Sequence, residues 1–350
     1  MQYTTFGRRT GLRVSALALG AGNFGTGWGH GAERAEAQSM FDGYLAAGGN
    51  FIDTADSYQL GQSEQMLGEF IAAERDNLVL ASKYTLAAKS PAAGGNSRKA
   101  MVQAVEASLK RLHTERIDLY WAHFADQLTP TEEIMRGFDD LIRAGKIVYG
   151  GLSNFPAWRA ARADLMADLR GWAPLAGLQF EYSLAERGAD RELLPMAEAL
   201  GLGAALWSPL GGGFLTGKYR QQTDGANRAS GLGMLVHSEK SARETAVLDT
   251  VLALAAEHGV PPLHVAIAWL RHKAAHSPTA LIPILGPRSR AQLDDTLGAL
   301  RLALPDAHIA RLDQVSAAAP STPQRQINDS AERISGGRPE LVAPRLHPVA

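Results

Sequence analysis

Four side chains that could carry out acid–base chemistry follow short apolar runs of the sequence: Asp53, Tyr58, Lys83 and His123. Tyrosine is a weak acid with a reference pKa of about 10, and a nearby ammonium is expected to lower that pKa. A buried lysine needs a carboxylate partner, which Asp53 can supply. A neutral histidine could donate a hydrogen bond to a substrate oxygen. Together these groups could protonate a carbonyl that receives a hydride.

Each residue alone also has an ordinary structural explanation. Asp53 could cap a turn, Lys83 could end a strand in solvent, Tyr58 could anchor a loop and His123 could lie in the core. Their placement after consecutive apolar runs favours one shared site. A Schiff-base isomerase or aldolase that uses Lys83 is a weaker alternative. Asp56, although close in sequence, is expected to be a loop or capping residue.

Polar and glycine-rich segments after the later apolar runs could hold a nicotinamide cofactor as the hydride donor. The amides and hydroxyl of Ser153, Asn154 and Gln179 could bind a carboxamide, and Trp207 offers a flat face for the ring. The glycines at 211–213 would let backbone N–H groups approach phosphates. The cations suited to a ribose phosphate are Lys218, Arg288 and Arg290.

The candidate residues lie at the ends of eight short apolar runs that alternate with segments of helical periodicity. The runs span residues 16–20, 51–54, 78–82, 117–123, 147–154, 175–183, 203–210 and 280–286. The helical segments span residues 32–47, 63–73, 97–112, 131–143, 158–169 and 191–200, with two more between 241 and 273. Eight such units predict an α/β protein with a closed (β/α)₈ TIM barrel, whose functional residues gather at the carboxyl ends of the strands.

Three segments extend this barrel. The stretches "YTTFG" and "LRVS" predict an N-terminal β-hairpin. A long glycine-rich loop follows the seventh strand at 211–241. Residues 1–320 are thus predicted to form a single barrel domain, and residues 321–350 a polar tail that packs on the barrel or trails from it.

A doubly wound dinucleotide-binding sheet is the rival fold. The stretch "GAGNFG" at 20–25 matches the glycine fingerprint of that fold. The fingerprint also requires a helix to open at the glycines, but here the glycines continue and no helix can begin before about residue 32. We therefore interpret this stretch as a loop over a site.

Composition limits the class of protein. The 350 residues carry a formal net charge of −1 and 45% apolar residues, which gives no sign of binding to nucleic acid or to an anionic membrane. The absence of cysteine excludes disulfides and thiolate ligands. The N-terminus lacks the pattern of a secretory signal, so a cytoplasmic location is expected. His272 and His276 have the spacing of a metal pair but lack a third ligand, so no metal is predicted.

The sequence resembles the aldo-keto reductases over nearly its whole length. The motifs that carry the resemblance, in the family's order, are "FIDTADSY", "ASKY", "DLYWAH", "GLSNF", "QFEYSL", "WSPLGGGFLTGKY" and "GPRSRAQLDD". It is most similar to the bacterial branch that resembles aryl-alcohol dehydrogenases and potassium-channel β subunits.

The resemblance implies a catalytic tetrad of Asp53, Tyr58, Lys83 and His123, with Tyr58 as the acid and base. It also implies NADPH or NADP⁺ extended across the barrel mouth, with NADH bound more weakly. The implied cofactor-binding residues are Asp53, Ser153, Asn154, Gln179, Trp207, Ser208, Pro209, Leu210, Gly211, Gly213, Lys218, Gly286, Arg288, Gln292, Asp295 and Thr296. Thr296 stands where the family usually has an asparagine, and the large Arg288 favours a 2′-phosphate.

Substrate choice is expected to lie in the loops 23–31, 124–129 and 211–241. The predicted substrate-binding residues are Phe24, Trp28, His30, Tyr58, His123, Phe124 and Met234. This aromatic rim suits bulky aryl aldehydes, xenobiotic ketones or mycotoxin-like carbonyls, in a detoxifying reduction or in the reverse oxidation of a secondary alcohol. A cofactor-binding regulatory subunit with slow turnover is the alternative, and the oligomeric state stays open.

Overall fold

The computed structural model describes residues 1–86, 90–220 and 237–342 and confirms the predicted barrel. Strands β3 to β10 are parallel and close into a cylinder, because each pairs with the next and β10 pairs back with β3. The strands in the described residues are β1 (Tyr3–Thr5), β2 (Arg13–Ser15), β3 (Ala18–Gly20), β4 (Phe51–Asp53), β5 (Val79–Tyr84), β6 (Ile117–Ala122), β7 (Ile147–Ser153), β8 (Leu175–Glu181), β9 (Gly203–Trp207) and β10 (Leu281–Leu285).

Helices alternate with the barrel strands and cover them. In α4, for example, the apolar side chains of Ile134, Phe138 and Leu141 are buried on one face, as an amphipathic outer helix requires. The helices are α1 (Arg34–Ala46), α2 (Gln62–Phe70), α3 (Arg98–Arg111), α4 (Thr131–Arg143), α5 (Ala157–Arg170), α6 (Leu193–Leu200), α7 (Ala242–His258), α8 (Pro262–Ala275), α9 (Arg290–Gly298), α10 (Asp306–Ser316), α11 (Gln324–Asp329) and α12 (Ala331–Ile334).

The predicted N-terminal hairpin is present, and it closes the amino end of the barrel. β1 and β2 pair antiparallel, and the fully buried Phe6, which directly follows β1, packs inside the barrel. The ring of Phe6 lies edge-on to Phe51 and Trp121, with centroids 5.8 and 6.2 Å away. Gly177 and Gly203 leave room for it, since a Cβ at either would lie within 2.8 Å of the Phe6 ring. The hairpin therefore supplies the floor of the barrel core.

The first loop confirms that "GAGNFG" does not open a helix. After β3 the chain remains irregular until α1 begins at Arg34. Gly25 and Gly31 have φ values of +114° and +134°, which favour glycine. The two ends of the loop meet there, because Phe24 and Gly25 form isolated β-bridges with Ala32. The loop lies at the carboxyl end of the barrel, as expected of a segment over a site.

The predicted break between two helices after β9 is also present. α7 ends at the left-handed Gly259, and α8 begins at Pro262, where a proline suits the first turn. Within the described residues, no single helix is long and apolar enough to cross a membrane; α7 and α8 would reach that length only together, across a bend of 101°.

The chain beyond residue 320 contains α11 and α12. Gln324 contacts the barrel through a hydrogen bond from its Nε2 to the carbonyl oxygen of Arg191 at 3.1 Å. Residues 343–350 lie outside the described residues, so the division into a domain and a tail stays a prediction.

Candidate active site

The structure brings the four predicted acid–base residues together at the carboxyl end of the barrel. Asp53 ends β4, Lys83 lies in β5 and His123 follows β6. Nζ of Lys83 donates hydrogen bonds to Oδ2 of Asp53 at 2.5 Å, to the carbonyl oxygen of Thr54 at 2.7 Å and to Oη of Tyr58 at 3.1 Å. The ring centroids of Tyr58 and His123 are 5.8 Å apart. The four groups therefore form one connected set.

The alternation of β5 explains why Lys83 points into this set. Val79 and Ala81 pack in the barrel interior, whereas Leu80 and Tyr84 pack against the outer helices. Since side chains alternate along a strand, Lys83 follows Val79 and Ala81 to the inside. Because Lys83 faces the interior of the barrel, its side chain is fully buried.

Lys83 remains charged despite this burial. Burial lowers the pKa of Lys83, but the charge of Asp53 and the hydrogen bonds to Asp53 and Tyr58 outweigh it, so that the pKa is raised above its usual value. The expected carboxylate partner is thus present, and the site holds a fixed ammonium next to the Tyr58 hydroxyl.

The predicted direction of the Tyr58 pKa was wrong. Lys83 lowers the pKa of Tyr58, as expected, but burial of the phenol is the larger effect and raises it above its usual value. The sequence showed the cation without showing how far water is excluded from the phenol. Tyr58 is therefore a protonated hydrogen-bond donor at neutral pH.

His123 is neutral in this environment. Burial, together with the positive charge of Lys83, holds the pKa of His123 well below its usual value. Within the described residues, its buried Nδ1 has no hydrogen-bond partner. A neutral imidazole beside Tyr58 fits the predicted role of His123, which is to donate a hydrogen bond to a substrate oxygen while Tyr58 acts as the acid.

Two amides predicted to bind a carboxamide have partners within the protein. Nε2 of Gln179 donates to Oδ1 of Asp53 at 2.9 Å, so the Asp53 carboxylate is held from both sides. Nδ2 of Asn154 donates to the carbonyl oxygen of His123 at 3.0 Å, and its Oδ1 accepts from Nε1 of Trp207 at 3.1 Å. Asn154 thereby ties together the ends of β6, β7 and β9.

A cavity of about 480 Å³ opens above the tetrad. Asp53 and Tyr58 line it, whereas Lys83 lies beneath them. Of the predicted cofactor-binding residues, those that line the cavity are Asp53, Gln179, Trp207, Ser208, Pro209, Leu210, Gly213, Lys218, Gly286, Arg288, Gln292, Asp295 and Thr296. Ser153, Asn154 and Gly211 are not part of this lining.

Comparison with known proteins shows the family to which the chain belongs. The sequence profile of the aldo/keto reductase family matches residues 16–317, which include the whole barrel and the tetrad. The chain belongs to the aldo/keto reductase family.

Individual relatives support the same family. The chain is 37% identical to the uncharacterized oxidoreductase YrpG of Bacillus subtilis, over 89% of this chain and 94% of that protein. It is 35% identical to norsolorinic acid reductase of Aspergillus flavus, over 87% of this chain and 78% of that protein. It is 31% identical to a putative aryl-alcohol dehydrogenase of Saccharomyces cerevisiae, over 88% of this chain and 85% of that protein.

The aldo/keto reductase cavity also contains residues that the sequence did not single out. Asn23 joins the first loop to the last one, because its Nδ2 donates to the carbonyl oxygens of Gly286 and Pro287, both at 3.1 Å. Leu263, at the start of α8, lines the cavity without any local motif to mark it. Further unpredicted lining residues are Gly20, Gly22, Thr216, Tyr219, Ile284, Leu285 and Pro287.

The predicted substrate residues lie in different places, and His123, although it belongs to the tetrad, is not among the residues that line the cavity. Trp28 and His30 line the cavity with Tyr58. Phe124 is partly exposed, and its ring lies 5.0 Å from that of His123, outside the lining. Met234 lies outside the described residues.

Phe24 was wrongly predicted to bind substrate. Its side chain is fully buried and packs edge-on against Phe70, with ring centroids 6.3 Å apart. Although Phe24 lies in the first loop, its side chain points inward and belongs to the hydrophobic core.

Asp56 lies in the turn after β4, as a loop residue would, but it is buried. Within the described residues, its Oδ1 has no hydrogen-bond partner. Burial and the nearby Glu64 raise the pKa of Asp56 to about 7, although Arg111 opposes them. Arg111 is engaged elsewhere, since its side chain pairs with Glu64 at 2.6 Å. A buried carboxyl group whose pKa is close to neutral pH therefore lies near the tetrad.

The described residues contain no group of three or more side chains able to hold a metal ion. The His272 and His276 rings stack with centroids 4.1 Å apart, and Nδ1 of His276 is hydrogen-bonded to the carbonyl oxygen of His272. This contact explains the pair as a feature of the end of α8.

Proposed function

We propose that this protein is an NADP(H)-dependent reductase of aldehydes and ketones, with Tyr58 as its general acid and, in the reverse direction, its general base. One observation carries the proposal. Tyr58 lines the cavity, and its hydroxyl accepts a hydrogen bond from the buried Lys83, which is itself paired with Asp53. This arrangement supplies a proton donor and a fixed positive charge at one point of the cavity wall.

The protein's own groups would share the proton transfer as follows. Tyr58 donates its proton to the carbonyl oxygen as negative charge develops there. Lys83, 3.1 Å from Oη, stabilises the phenolate that forms. Asp53 keeps Lys83 charged, and Gln179 holds Asp53 in place. His123, being neutral, can hydrogen-bond to the same substrate oxygen without giving up a proton.

The cavity residues fit a nicotinamide dinucleotide. Gly211, Gly212 and Gly213 have φ values of +58°, +65° and +92°, a conformation that is disfavoured for residues with a side chain, and Gly212 and Gly213 line the cavity. Lys218 and Arg288 line the same cavity and are cations suited to phosphate groups. When bound, a reduced nicotinamide would supply the hydride.

The proposed substrates are carbonyl compounds with a bulky aryl or polycyclic body. Trp28 lines the cavity beside Tyr58, with ring centroids 5.9 Å apart, so an aromatic wall lies next to the proton donor. The names of two relatives, a norsolorinic acid reductase and a putative aryl-alcohol dehydrogenase, support this substrate class. We extend the proposal to the oxidation of the matching alcohols.

Steady-state oxidation of NADPH and NADH with a panel of aryl and aliphatic carbonyls tests the proposal. Tyr58→Phe removes the proton donor, so kcat should fall by about 10²- to 10⁴-fold, the usual scale of general acid catalysis. NADPH binding, followed by tryptophan fluorescence, should be unchanged. The matched control is Tyr3→Phe, at the other end of the barrel, which should leave kcat unaltered.

Two outcomes would contradict the proposal. Unchanged turnover in Tyr58→Phe would remove Tyr58 as the acid. Tight NADPH binding without turnover of any carbonyl or alcohol would instead support the regulatory subunit.

A further inference from the structure

The turn that follows Tyr58 holds two consecutive residues in the left-handed region. Gln59 has φ 50° and ψ 37°, and Leu60 has φ 58° and ψ 32°. This conformation is disfavoured for L side chains and persists only where the surroundings enforce it. The side chain of Leu60 is 76% exposed and cannot enforce it, whereas Gln59 is fully buried. The explanation therefore lies in where the turn directs Gln59.

The side-chain amide of Gln59 bridges two points of the first loop, residues 20–31. Its Oε1 accepts a hydrogen bond from the backbone N–H of Trp28 at 3.0 Å, and its Nε2 donates to the carbonyl oxygen of Gly22 at 3.0 Å. The loop has little regular structure, so its backbone groups need such partners. Both functions of the amide are thus used on one loop.

The neighbouring Gln62 adds to this attachment. Its Oε1 accepts from the backbone N–H groups of Thr26 and Gly27 at 2.8 and 3.0 Å. The backbones also meet closely, since a Cβ at Gly27 would lie 2.5 Å from the carbonyl oxygen of Gln59. The tip of the loop is therefore seated directly on the turn that carries Tyr58.

Trp28 is the residue whose place this attachment sets. Its side chain is 41% exposed and lines the cavity. Its ring lies edge-on to that of Tyr58 at an angle of 77°, and its centroid is 6.0 Å from that of His30. Gln59 does not line the cavity. Its amide holds two residues that do, Gly22 and Trp28, and of these only Trp28 has a side chain that could contact a substrate.

We infer that Gln59 is a positioning residue for substrate selection, which holds Trp28 beside Tyr58 as the wall against which the apolar body of an aryl carbonyl packs. The inference rests on the proposed carbonyl reduction and deepens it. A small aliphatic aldehyde does not reach this wall and does not depend on Gln59. The strained turn is retained because it aims the amide at the loop.

The test compares 2-naphthaldehyde with propanal as substrates of Gln59→Met, which keeps the shape of the side chain and removes its amide. We expect KM for 2-naphthaldehyde to rise by roughly tenfold, the scale of a lost hydrogen bond in a buried site. kcat for that substrate, and kcat/KM for propanal, should change much less. A purely structural loss would lower the activity on both aldehydes alike.

Gln59→Gly separates the amide from the backbone strain. Glycine accepts the left-handed conformation, so this variant removes the backbone strain together with the amide. It should nevertheless lose selectivity for 2-naphthaldehyde as Gln59→Met does. The matched control is Gln65→Met on the exposed face of α2, which should behave as the wild type.

A double-variant cycle with Trp28→Ala decides the route of the effect. If Gln59 acts through Trp28, the double variant Gln59→Met/Trp28→Ala should be no less selective than Trp28→Ala alone. Fully additive losses, or an unchanged ratio of kcat/KM for the two aldehydes in Gln59→Met and Gln59→Gly, would overturn the inference. Absence of turnover in the wild type would instead overturn the proposed function.

Discussion

The proton chemistry proposed for Tyr58 depends on a positive charge at Lys83, which is fully buried. An unpaired ammonium at such a place would lose its proton, and removal of either partner of a buried pair leaves the other uncompensated. Here Asp53 lies 2.5 Å from Nζ and is itself held by Gln179. The pair contributes a fixed charge to the site more than it contributes stability.

Asp56 is a second buried carboxyl group, but it lacks the cation that Asp53 has. Its pKa of about 7 compares with about 3.9 in an unfolded chain. As pH rises between these values, the unfolded chain releases a proton that the folded protein retains. The contribution of Asp56 to stability is therefore fully present below about pH 4 and is lost as pH rises to about 7.

Asp56→Asn should remove this pH dependence. We expect Tm to fall less in the variant than in the wild type between about pH 4 and pH 7, because the wild type loses at most about 1.4 kcal/mol per pH unit from this group. Thermal unfolding in matched buffers measures the difference. The exposed Asp329→Asn is the control, and parallel curves for Asp56→Asn and the wild type would show that Asp56 is ionised in the fold.

At the scale of elements, the start of α9 forms the part of the cavity proposed for the ribose phosphate. Oγ of Ser289 caps the helix by accepting from the N–H of Gln292, whose Oε1 accepts from the N–H of Arg288 at 3.0 Å. The amino end of a helix favours an anion. Arg290, by contrast, pairs with Asp294 at 2.8 Å and does not line the cavity.

Arg288→Ala should therefore weaken NADPH binding more than NADH binding. Loss of a hydrogen bond to a charged group corresponds to roughly a 10- to 100-fold change in Kd. Fluorescence titration of both dinucleotides measures the effect, with Arg290→Ala as the control on the same helix. If the variant binds both dinucleotides more weakly by the same factor, Arg288 does not bind the 2′-phosphate.

At the scale of the whole molecule, the two ends of the barrel differ, since one is open and the other is closed. The carboxyl end opens into the cavity, while the hairpin β1–β2 and Phe6 close the amino end. Stability and chemistry are thus separated along the barrel axis, as is usual for this fold. Changes at the floor should alter unfolding without altering the site.

Phe6→Ala tests this separation. Truncation of a fully buried phenylalanine costs about 3–5 kcal/mol, so the free energy of unfolding measured by urea denaturation should drop on that scale. The exposed Thr4→Ala in β1 is the control and should change little. A large fall in NADPH affinity in folded Phe6→Ala would contradict the separation.

The barrel and the tetrad could be predicted because both follow from regular patterns. Eight apolar runs predict eight strands, and parallel strands bring Asp53, Lys83 and His123 to one end. The remaining features depend on distant contacts. The net pKa of Tyr58 and the burial of Asp56 reflect water exclusion, and the inward Phe24 and the Gln59 amide depend on packing between loops. No local spacing records such contacts.

The most direct test of the central claim is to follow the hydrogen itself. The substrate is 2-naphthaldehyde, and the NADPH is deuterated at C4 of the nicotinamide, on one face in one sample and on the other face in a second. For one of the two samples, mass spectrometry of the product alcohol should find one deuterium on the carbinol carbon. Tyr58→Phe should slow its appearance by about 10²-fold or more. Alcohol that carries no deuterium with either labelled cofactor would contradict hydride transfer. An unchanged rate in Tyr58→Phe would contradict assistance by Tyr58.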